Sequence, residues 1–305
     1  MTQPVREELL LGTRASALAL WQAEHVSKML REASSGVCAR PFPLSTLGDR
    51  SLDAALSDLG GASFSSEIDQ ALLGRRVRVA VHSLKDLPIQ DNAGIVTAAI
   101  LSREDPRDAL VSSKKGGLAQ LPIGAKVGTS SPRRAAQIKA YRADLIIKAV
   151  RGNVETRVRR AIDGPLDAVI LAAAGLNRLG LTRDIQELLS VDDFVPAPGQ
   201  AALAVQCRED DAEVRTLLGL IDDKKVRTEV QAERAFLAAL GGGCSLPVGA
   251  LATSAEGGAL ELTGFVGAVD GSAHIQISRR GSDPLPLARA LAAEAFRMGA
   301  REILG

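Results

Sequence analysis

The stretch Lys126 to Arg142, KVGTSSPRRAAQIKAYR, decides how the chain is read. Lys126 to Gly128 ends a strand. Ser131 then offers a hydroxyl to the first free N–H groups of a helix, and Pro132 at the first helical position brings a preset φ where no amide hydrogen is needed. The same grammar occurs near the amino terminus: a strand at Leu9 to Leu11, the turn GTRAS with Ser16 as N-cap, and the helical ALALWQAEHVSKMLREA. Both units run strand, Gly-Thr, small polar residues, Arg and helix, as Gly12-Thr13-Arg14 and as Gly128-Thr129 leading to Arg133-Arg134. The echo predicts two similar α/β lobes.

Further strands are expected at Val77 to Val81, Leu145 to Val150, Asp167 to Leu171 and Ala201 to Cys207, with ligands near the carboxyl ends of the strands. After Asp222-Asp223-Lys224-Lys225 the pattern changes. Thr228 to Leu240 reads as a helix stopped by glycines, LELTGFVGAV and HIQISRR as strands about Asp270-Gly271, and Pro286 to Leu304 as a final helix. The expected class is α/β with two lobes and a small α+β carboxy-terminal domain. The lobes are residues 1–102 with 200–220 and residues 103–199, followed by a third domain at 221–305.

The 305 residues, 46% of them hydrophobic, are enough for two or three domains. With 37 Lys and Arg against 36 Asp and Glu, the net charge of +1 gives no global reason to expect nucleic acid or an anionic membrane as partner. The first apolar run is too short for a signal-peptide core, and AVILAAAGLN is soon broken by polar residues, so a cytoplasmic enzyme or binding protein is expected. Cys38, Cys207 and Cys244 with His25, His82 and His274 make no zinc spacing, and no metal site is expected.

Arg14, Arg133 and Arg134 lie at strand-to-helix turns, where free N–H groups already favour anions; Arg151 and Arg157 follow another strand end, and Arg178 closes AGLNRLG. Converging guanidinium forks suit a ligand with many carboxylates. Taken singly, each is more often a solvated or ion-paired surface residue, and Arg159 and Arg160 are read that way; the repeated position at strand ends is what points to a ligand. In VRVAVHSLKDLP a strand delivers His82, Ser83, Lys85 and Asp86 to a turn. Asp86 is either a turn cap or a carboxylate that stabilises a developing cation. Cys38 and Cys207, in apparent strands, read as small buried hydrophobes. Cys244, in LGGGCSLPVG, is either another such residue or a thiolate able to carry a group.

Read together and in order, LGTRASALALWQAEHV, AVHSLKDLP, REDPRDALV, VGTSSPRRAAQI, VRGNVETR, DAVILAAAGLNRLG, PAPGQAALAVQCR and ERAFLAALGGGCSLPVGA closely resemble the porphobilinogen deaminase (hydroxymethylbilane synthase) family over nearly the whole chain. The resemblance implies two lobes like those of type II periplasmic binding proteins and a third domain whose Cys244 holds a dipyrromethane through a thioether. Four porphobilinogens would be added with loss of ammonia and the tetrapyrrole hydroxymethylbilane released by hydrolysis. It implies that Asp86, with Lys85, is catalytic and stabilises a cationic azafulvene-like species. Cys244, Arg133, Arg134, Ser83, Lys85, Asp86, Thr129 and Ser130 would hold the cofactor, and Arg14, Ser16, Arg151, Arg157, Arg178 and Gln200 the substrate. The family expectation is a cytoplasmic monomer. Two departures stand out: GGASFSSEID at Gly60 to Asp69 is one residue shorter than the usual loop and lacks both its lysines, with Phe64 replacing the loop aromatic, and Leu47 stands where a basic residue is common. The competing expectation is a non-catalytic or weakly active two-lobed binder of a small organic anion.

Overall fold

The computed structural model describes residues 8–44, 66–243 and 246–305. Its first sheet is built from β1 (Glu8–Arg14), β2 (Cys38–Leu44), β3 (Val79–Ser83), β4 (Ile95–Ile100) and β10 (Leu203–Arg208), in the order β2-β1-β3-β10-β4. β2 and β3 run parallel to β1, and β10 runs antiparallel to both its neighbours. Alternation sorts the side chains onto two faces. Leu9, Leu11, Val79, Val81, Val205 and Cys207 share a core with Val26 and Leu30 of α1 (Ala17–Ala33) and with Val214 and Leu218 of α6 (Ala212–Gly219). Leu44, Ala80 and Ile95 pack with Ile68 and Leu72 of α2 (Ser66–Leu73).

The second sheet repeats this design. It contains β5 (Asp108–Val111), β6 (Lys126–Gly128), β7 (Ile146–Lys148), β8 (Ala168–Ala172) and β9 (Ile185–Leu188), ordered β7-β6-β8-β5-β9, with β7 and β8 parallel to β6 and β5 antiparallel to its neighbours. Each sheet therefore reads second, first, third, an antiparallel strand, fourth. The antiparallel strand is β10, on the returning chain, in one lobe and β5, on the newly arrived chain, in the other. This is the two-lobed α/β arrangement expected of type II periplasmic binding proteins. The Gly-Thr echo has a packing cause: a Cβ on Gly12 would lie 3.0 Å from Val77, and one on Gly128 would lie 2.6 Å from Leu166 and 2.9 Å from Val169. Both turns end in the expected caps. Ser16 accepts a hydrogen bond from Ala19 N, and Ser131 accepts one from Arg134 N ahead of α3 (Pro132–Tyr141). α4 (Val154–Ile162) and α5 (Ala173–Arg178) complete the second lobe.

The third sheet is an antiparallel β11-β12-β13 meander of Val248–Ser254, Leu260–Gly267 and His274–Gly281, packed with α7 (Lys224–Ala239), α8 (Pro284–Arg297) and α9 (Ala300–Leu304). α7 starts four residues earlier than the apolar spacing indicates, because Asp223 caps it: its carboxylate accepts from Val226 N at 3.1 Å and its carbonyl from Arg227 N at 2.8 Å. The expected single final helix is two, broken where Gly299 takes a φ of 101°. Cys207 is buried as expected, but Cys38 is exposed, since it opens β2 on the edge of its sheet. The altered loop at 60–65 and Leu47 lie outside the described residues, while Ser66 to Asp69 form the start of α2.

The chain packs into two compact units, Met1–Arg103 with Ala202–Arg227 and Glu104–Ala201 with Thr228–Gly305. Within the second unit the β11 sheet is joined to the segment before β10. Ala250 N donates to Pro196 O at 2.9 Å, and the buried Glu233 carboxylate accepts from Gly199 N at 2.7 Å and from Ala252 N at 2.9 Å. Among the described residues, no helix is long and apolar enough to cross a membrane. Gly249 lies at this junction, where a Cβ would stand 2.7 Å from Val195 O and 3.1 Å from Pro196 O. Backbone carbonyls cannot swing aside as a side-chain tip does. Gly249→Ala is therefore expected to destabilise the protein by about 1–3 kcal/mol, read from the denaturant midpoint, and an unchanged midpoint would refute this account of the junction.

Candidate functional site

The candidate residues fall into two groups, one in each compact unit. In the first, β1 carries Arg14 to its carboxyl end, half-buried, and Ser16 caps α1. β3 ends at Ser83, whose hydroxyl accepts a 2.9 Å hydrogen bond from the buried Gln22 amide of α1, so helix and strand fix each other at the mouth of the sheet. The chain then makes a 3₁₀ turn, Leu84 to Asp86. Leu84 N donates to Ala202 O at 3.0 Å and Leu87 N closes the turn onto Leu84 O. Lys85 is half-buried and Asp86 is exposed at the end of that turn.

His82, one residue before Ser83, is half-buried, with a fully shielded Nε2 that has no hydrogen-bond partner. Burial, opposed by the attraction of Asp91 and reinforced by the repulsion of Arg14, lowers its pKa to about 4. The imidazole is neutral at pH 7 and cannot serve there as a cationic anchor.

The second group is organised by a residue that the sequence reading left unassigned. Asp108, at the start of β5 and wholly buried, divides its carboxylate between two guanidiniums: Oδ2 accepts from Arg133 at 2.8 Å and Oδ1 from Arg134 at 2.7 Å. Gln200, also wholly buried, donates to Asp108 Oδ1 and to Pro106 O, both at 2.8 Å. The other guanidinium arms are fixed on carbonyls, Arg133 on Val195 at 2.7 Å and Arg134 on Ile170 at 3.1 Å. Burial alone would push the Asp108 carboxyl up. The charges of Arg133 and Arg134, with hydrogen bonds from Arg134 and Gln200, reverse this and hold it well below the usual carboxylate range. Two cations and one anion leave a net buried charge of +1, and the Nε atoms of both arginines are buried without a hydrogen-bond partner. A carboxylate is the chemical complement of such a cluster, so these residues fit a ligand that carries carboxylates.

The remaining residues are ordered around this cluster. Thr129 N donates to Lys148 O at 2.9 Å, and the Ser130 hydroxyl donates to Val150 O at 2.7 Å, tying the β6–α3 turn to the chain leaving β7. That chain runs on through exposed Arg151 to Arg157, whose Nε donates to Gly152 O at 2.8 Å. Arg178, at the end of α5, donates to Ala201 O at 2.6 Å, beside Gln200 and at a non-glycine residue with a φ of 74°. Burial lowers the Arg178 pKa, with Glu104 opposing the shift. The structure thus brings Arg133, Arg134 and Gln200 together around Asp108, and places Thr129, Ser130 and Arg151 along adjoining turns. Arg159 and Arg160 lie exposed on α4. Cys244 lies outside the described residues, following three glycines with positive φ. Among the described residues, no three His, Cys, Asp or Glu side chains gather as metal ligands would. The signal for Asp108 was present in REDPRDALV: an aspartate opening an apolar strand must find a cation or hydrogen-bond donors once buried.

Comparison with known proteins matches residues 9–216 to the family described as "Porphobilinogen deaminase, dipyromethane cofactor binding domain" and residues 227–297 to "Porphobilinogen deaminase, C-terminal domain". The chain is 43% identical over 299 residues to a porphobilinogen deaminase from Exiguobacterium sibiricum, covering 97% of both chains. It is 46% identical over 303 residues to one from Roseiflexus sp., covering 98% of this chain and 99% of that one. A solved TRAP periplasmic solute binding protein from Pseudomonas putida F1 is similar with a TM-score of 0.41 and 13% identity, over 76% of this chain and 80% of that one.

The low pKa of His82 has a consequence for stability. The unfolded chain takes up the proton near the ordinary histidine value of 6.5, and the folded chain only near 4. Stability from this source is complete above pH 6.5 and is lost as the pH falls to about 4, by up to about 3 kcal/mol. Urea titrations at pH 7 and pH 4.5 should show this fall in the wild type and a smaller one in His82→Gln. Parallel losses in the two proteins would show that His82 is not its source.

Proposed function

The chain belongs to the porphobilinogen deaminase family, and from that premise we propose how its residues divide the work of a hydroxymethylbilane synthase. The enzyme condenses four porphobilinogens head to tail and releases hydroxymethylbilane. The observation that carries this reading is the family match across both lobes and the carboxy-terminal domain, which an anion binder sharing only the two-lobed frame would not give. The first lobe, 1–102 with the returning strand β10, presents the catalytic turn and Arg14; the second lobe, from 103 up to Gln200, supplies the other arginines; and the carboxy-terminal domain, 221–305, carries the attachment cysteine. We assign covalent attachment of the dipyrromethane to Cys244, which the glycines at 241–243 precede in sequence.

When bound, the dipyrromethane supplies the nucleophilic pyrrole carbon and the anchor from which the product grows. Each porphobilinogen loses ammonia as its aminomethyl C–N bond breaks, its methylene carbon would form the new C–C bond to the free α-carbon at the chain end, and the C–H bond of that α-carbon would break, its proton balancing the one that leaves with ammonia. Asp86 stabilises the positive charge that develops on the incoming pyrrole and accepts its N–H hydrogen bond, while Lys85 stands next to it on the same turn. Arg133 and Arg134 hold cofactor carboxylates, with Thr129, Ser130 and Ser83 completing that set. Arg14, Ser16, Arg151, Arg157, Arg178 and Gln200 take the acetate and propionate groups of the substrate and growing chain. Family membership supports a cytoplasmic monomer whose partners are porphobilinogen and its oligomers, and the near-zero net charge gives no reason to add nucleic acid to them.

Two variants test this division. Protein from cells that make porphobilinogen should carry a mass excess of two linked pyrroles, absent in Cys244→Ser; the same excess in that variant would move the attachment elsewhere. Asp86→Asn should keep the cofactor and lose about 100- to 1000-fold in turnover, followed as uroporphyrin absorbance after acidic oxidation of the product. Turnover within a few-fold of wild type would remove Asp86 from the catalytic role.

A further inference from the structure

We propose that Asp108 is a positioning residue for chain elongation, setting both the geometry and the net charge of the arginine pair that receives a cofactor carboxylate. The proposal rests on the porphobilinogen deaminase reading. Asp108 stands directly across the sheet from Ala172, the last residue of β8. In the first lobe the equivalent place, across from Ser83 at the end of β3, is taken by Leu203. The two lobes share a frame and differ here by a buried charge. An apolar residue satisfies the frame, so the fold alone does not call for an aspartate.

What the aspartate does is legible in its contacts. One terminal nitrogen of each arginine is fixed on Asp108 at 2.7–2.8 Å and the other on a main-chain carbonyl, which leaves Nε as the nitrogen without a partner in each guanidinium. Two buried guanidiniums side by side repel each other, and one carboxylate reduces the pair to +1. A second carboxylate from the protein would neutralise the cluster and compete with the ligand; no carboxylate would leave two like charges unscreened. A single aspartate leaves an attraction for one further carboxylate.

The cluster is also tied to the carboxy-terminal domain. Gln200 donates to Asp108, the neighbouring Gly199 N–H donates to Glu233 of α7, and α7 leads along the chain into the glycine loop of Cys244. Asp108 is thus the point at which the arginine pair is registered against the segment that carries the attachment helix.

The test compares wild type, Asp108→Asn and Gln200→Leu, all purified from cells that make porphobilinogen. Intact mass gives the fraction carrying the primer, thermal unfolding gives stability, and turnover is normalised to primer-loaded molecules. Asp108→Asn is expected to carry the primer in fewer than about a tenth of molecules, and its loaded fraction to show kcat reduced at least tenfold with KM within about threefold of wild type. A purely structural role would lower the amount of folded protein without changing kcat per loaded molecule, and that result would overturn the proposal. Gln200→Leu removes a donor to Asp108 but keeps all three charges, so it decides the matter if Asp108→Asn does not fold: because Gln200 is also assigned to the substrate set, the deciding readout is the primer-loaded fraction, which falls several-fold if the proposal holds and stays at the wild-type level if it does not. A wild-type protein with neither primer nor product would fail the family reading itself, and this proposal with it.

Discussion

The second lobe is built around one buried ionic cluster, Arg133–Asp108–Arg134 with Gln200. Taking three charges out of water is costly, and removing one partner from such a group costs about 3–5 kcal/mol because a charge is left without compensation. The cluster therefore constrains everything that supplies its members. Asp108 comes from the first strand after the chain enters the lobe, the arginines from the first turn of α3, and Gln200 from the segment on which the chain leaves. The Val195 and Ile170 carbonyls must also be where they are, because each accepts a guanidinium N–H. The cap on Ser131 and the close packing at Gly128 are the local means by which Arg133 and Arg134 reach that place.

Repetition explains how one fold came to hold two kinds of chemistry. In both lobes one parallel strand, β1 or β6, turns through Gly-Thr into a capped helix, and another, β3 or β8, leads into a short helical segment at the carboxyl edge of the sheet. After β3 that segment is the 3₁₀ turn presenting Asp86; after β8 it is α5, ending in Arg178. The frame puts a side chain at the same topological point in each lobe, and the residue type there decides whether the point meets a developing cation or a carboxylate. On the proposed division of work, the first lobe supplies the anion and the second the cations.

Features governed by neighbours in sequence were readable without coordinates. The N-caps at Ser16 and Ser131, the proline at the head of α3 and the strands leading to Ser83 and Gly128 follow from interactions spanning three or four residues. Features governed by distant partners were not. Asp108 and Arg133 are 25 residues apart, and nothing local in REDPRDALV says which cation its aspartate meets. The helix read from apolar spacing begins at Thr228, after Asp222-Asp223-Lys224-Lys225; that the lysines already belong to it appears only when Asp223 is seen accepting from Val226. Cys38 has the pattern of a core strand residue, but burial depends on whether a strand is central or on the edge, and sheet order is a property of the whole lobe. The catalytic candidates were legible chiefly through family resemblance, since Asp86 alone is an ordinary turn residue.

The arginines differ in burial in a way that suits a chain growing from a fixed end. Arg133 and Arg134 are enclosed, with two of three nitrogens in each committed to the protein, whereas Arg151 is exposed and Arg157 only half-buried at a turn. A carboxylate reaching the enclosed pair must be stripped of water and can leave only by exposing a buried net positive charge, which favours a resident ligand. Exposed guanidiniums remain hydrated and screened, so their grip on any one carboxylate is weak and readily exchanged. A cofactor that stays and a product that must shift by one pyrrole at each addition call for these two kinds of site. On the proposed assignment, burial, rather than the identity of the residue, separates Arg133 and Arg134 as anchors from Arg151 and Arg157 as moving holds.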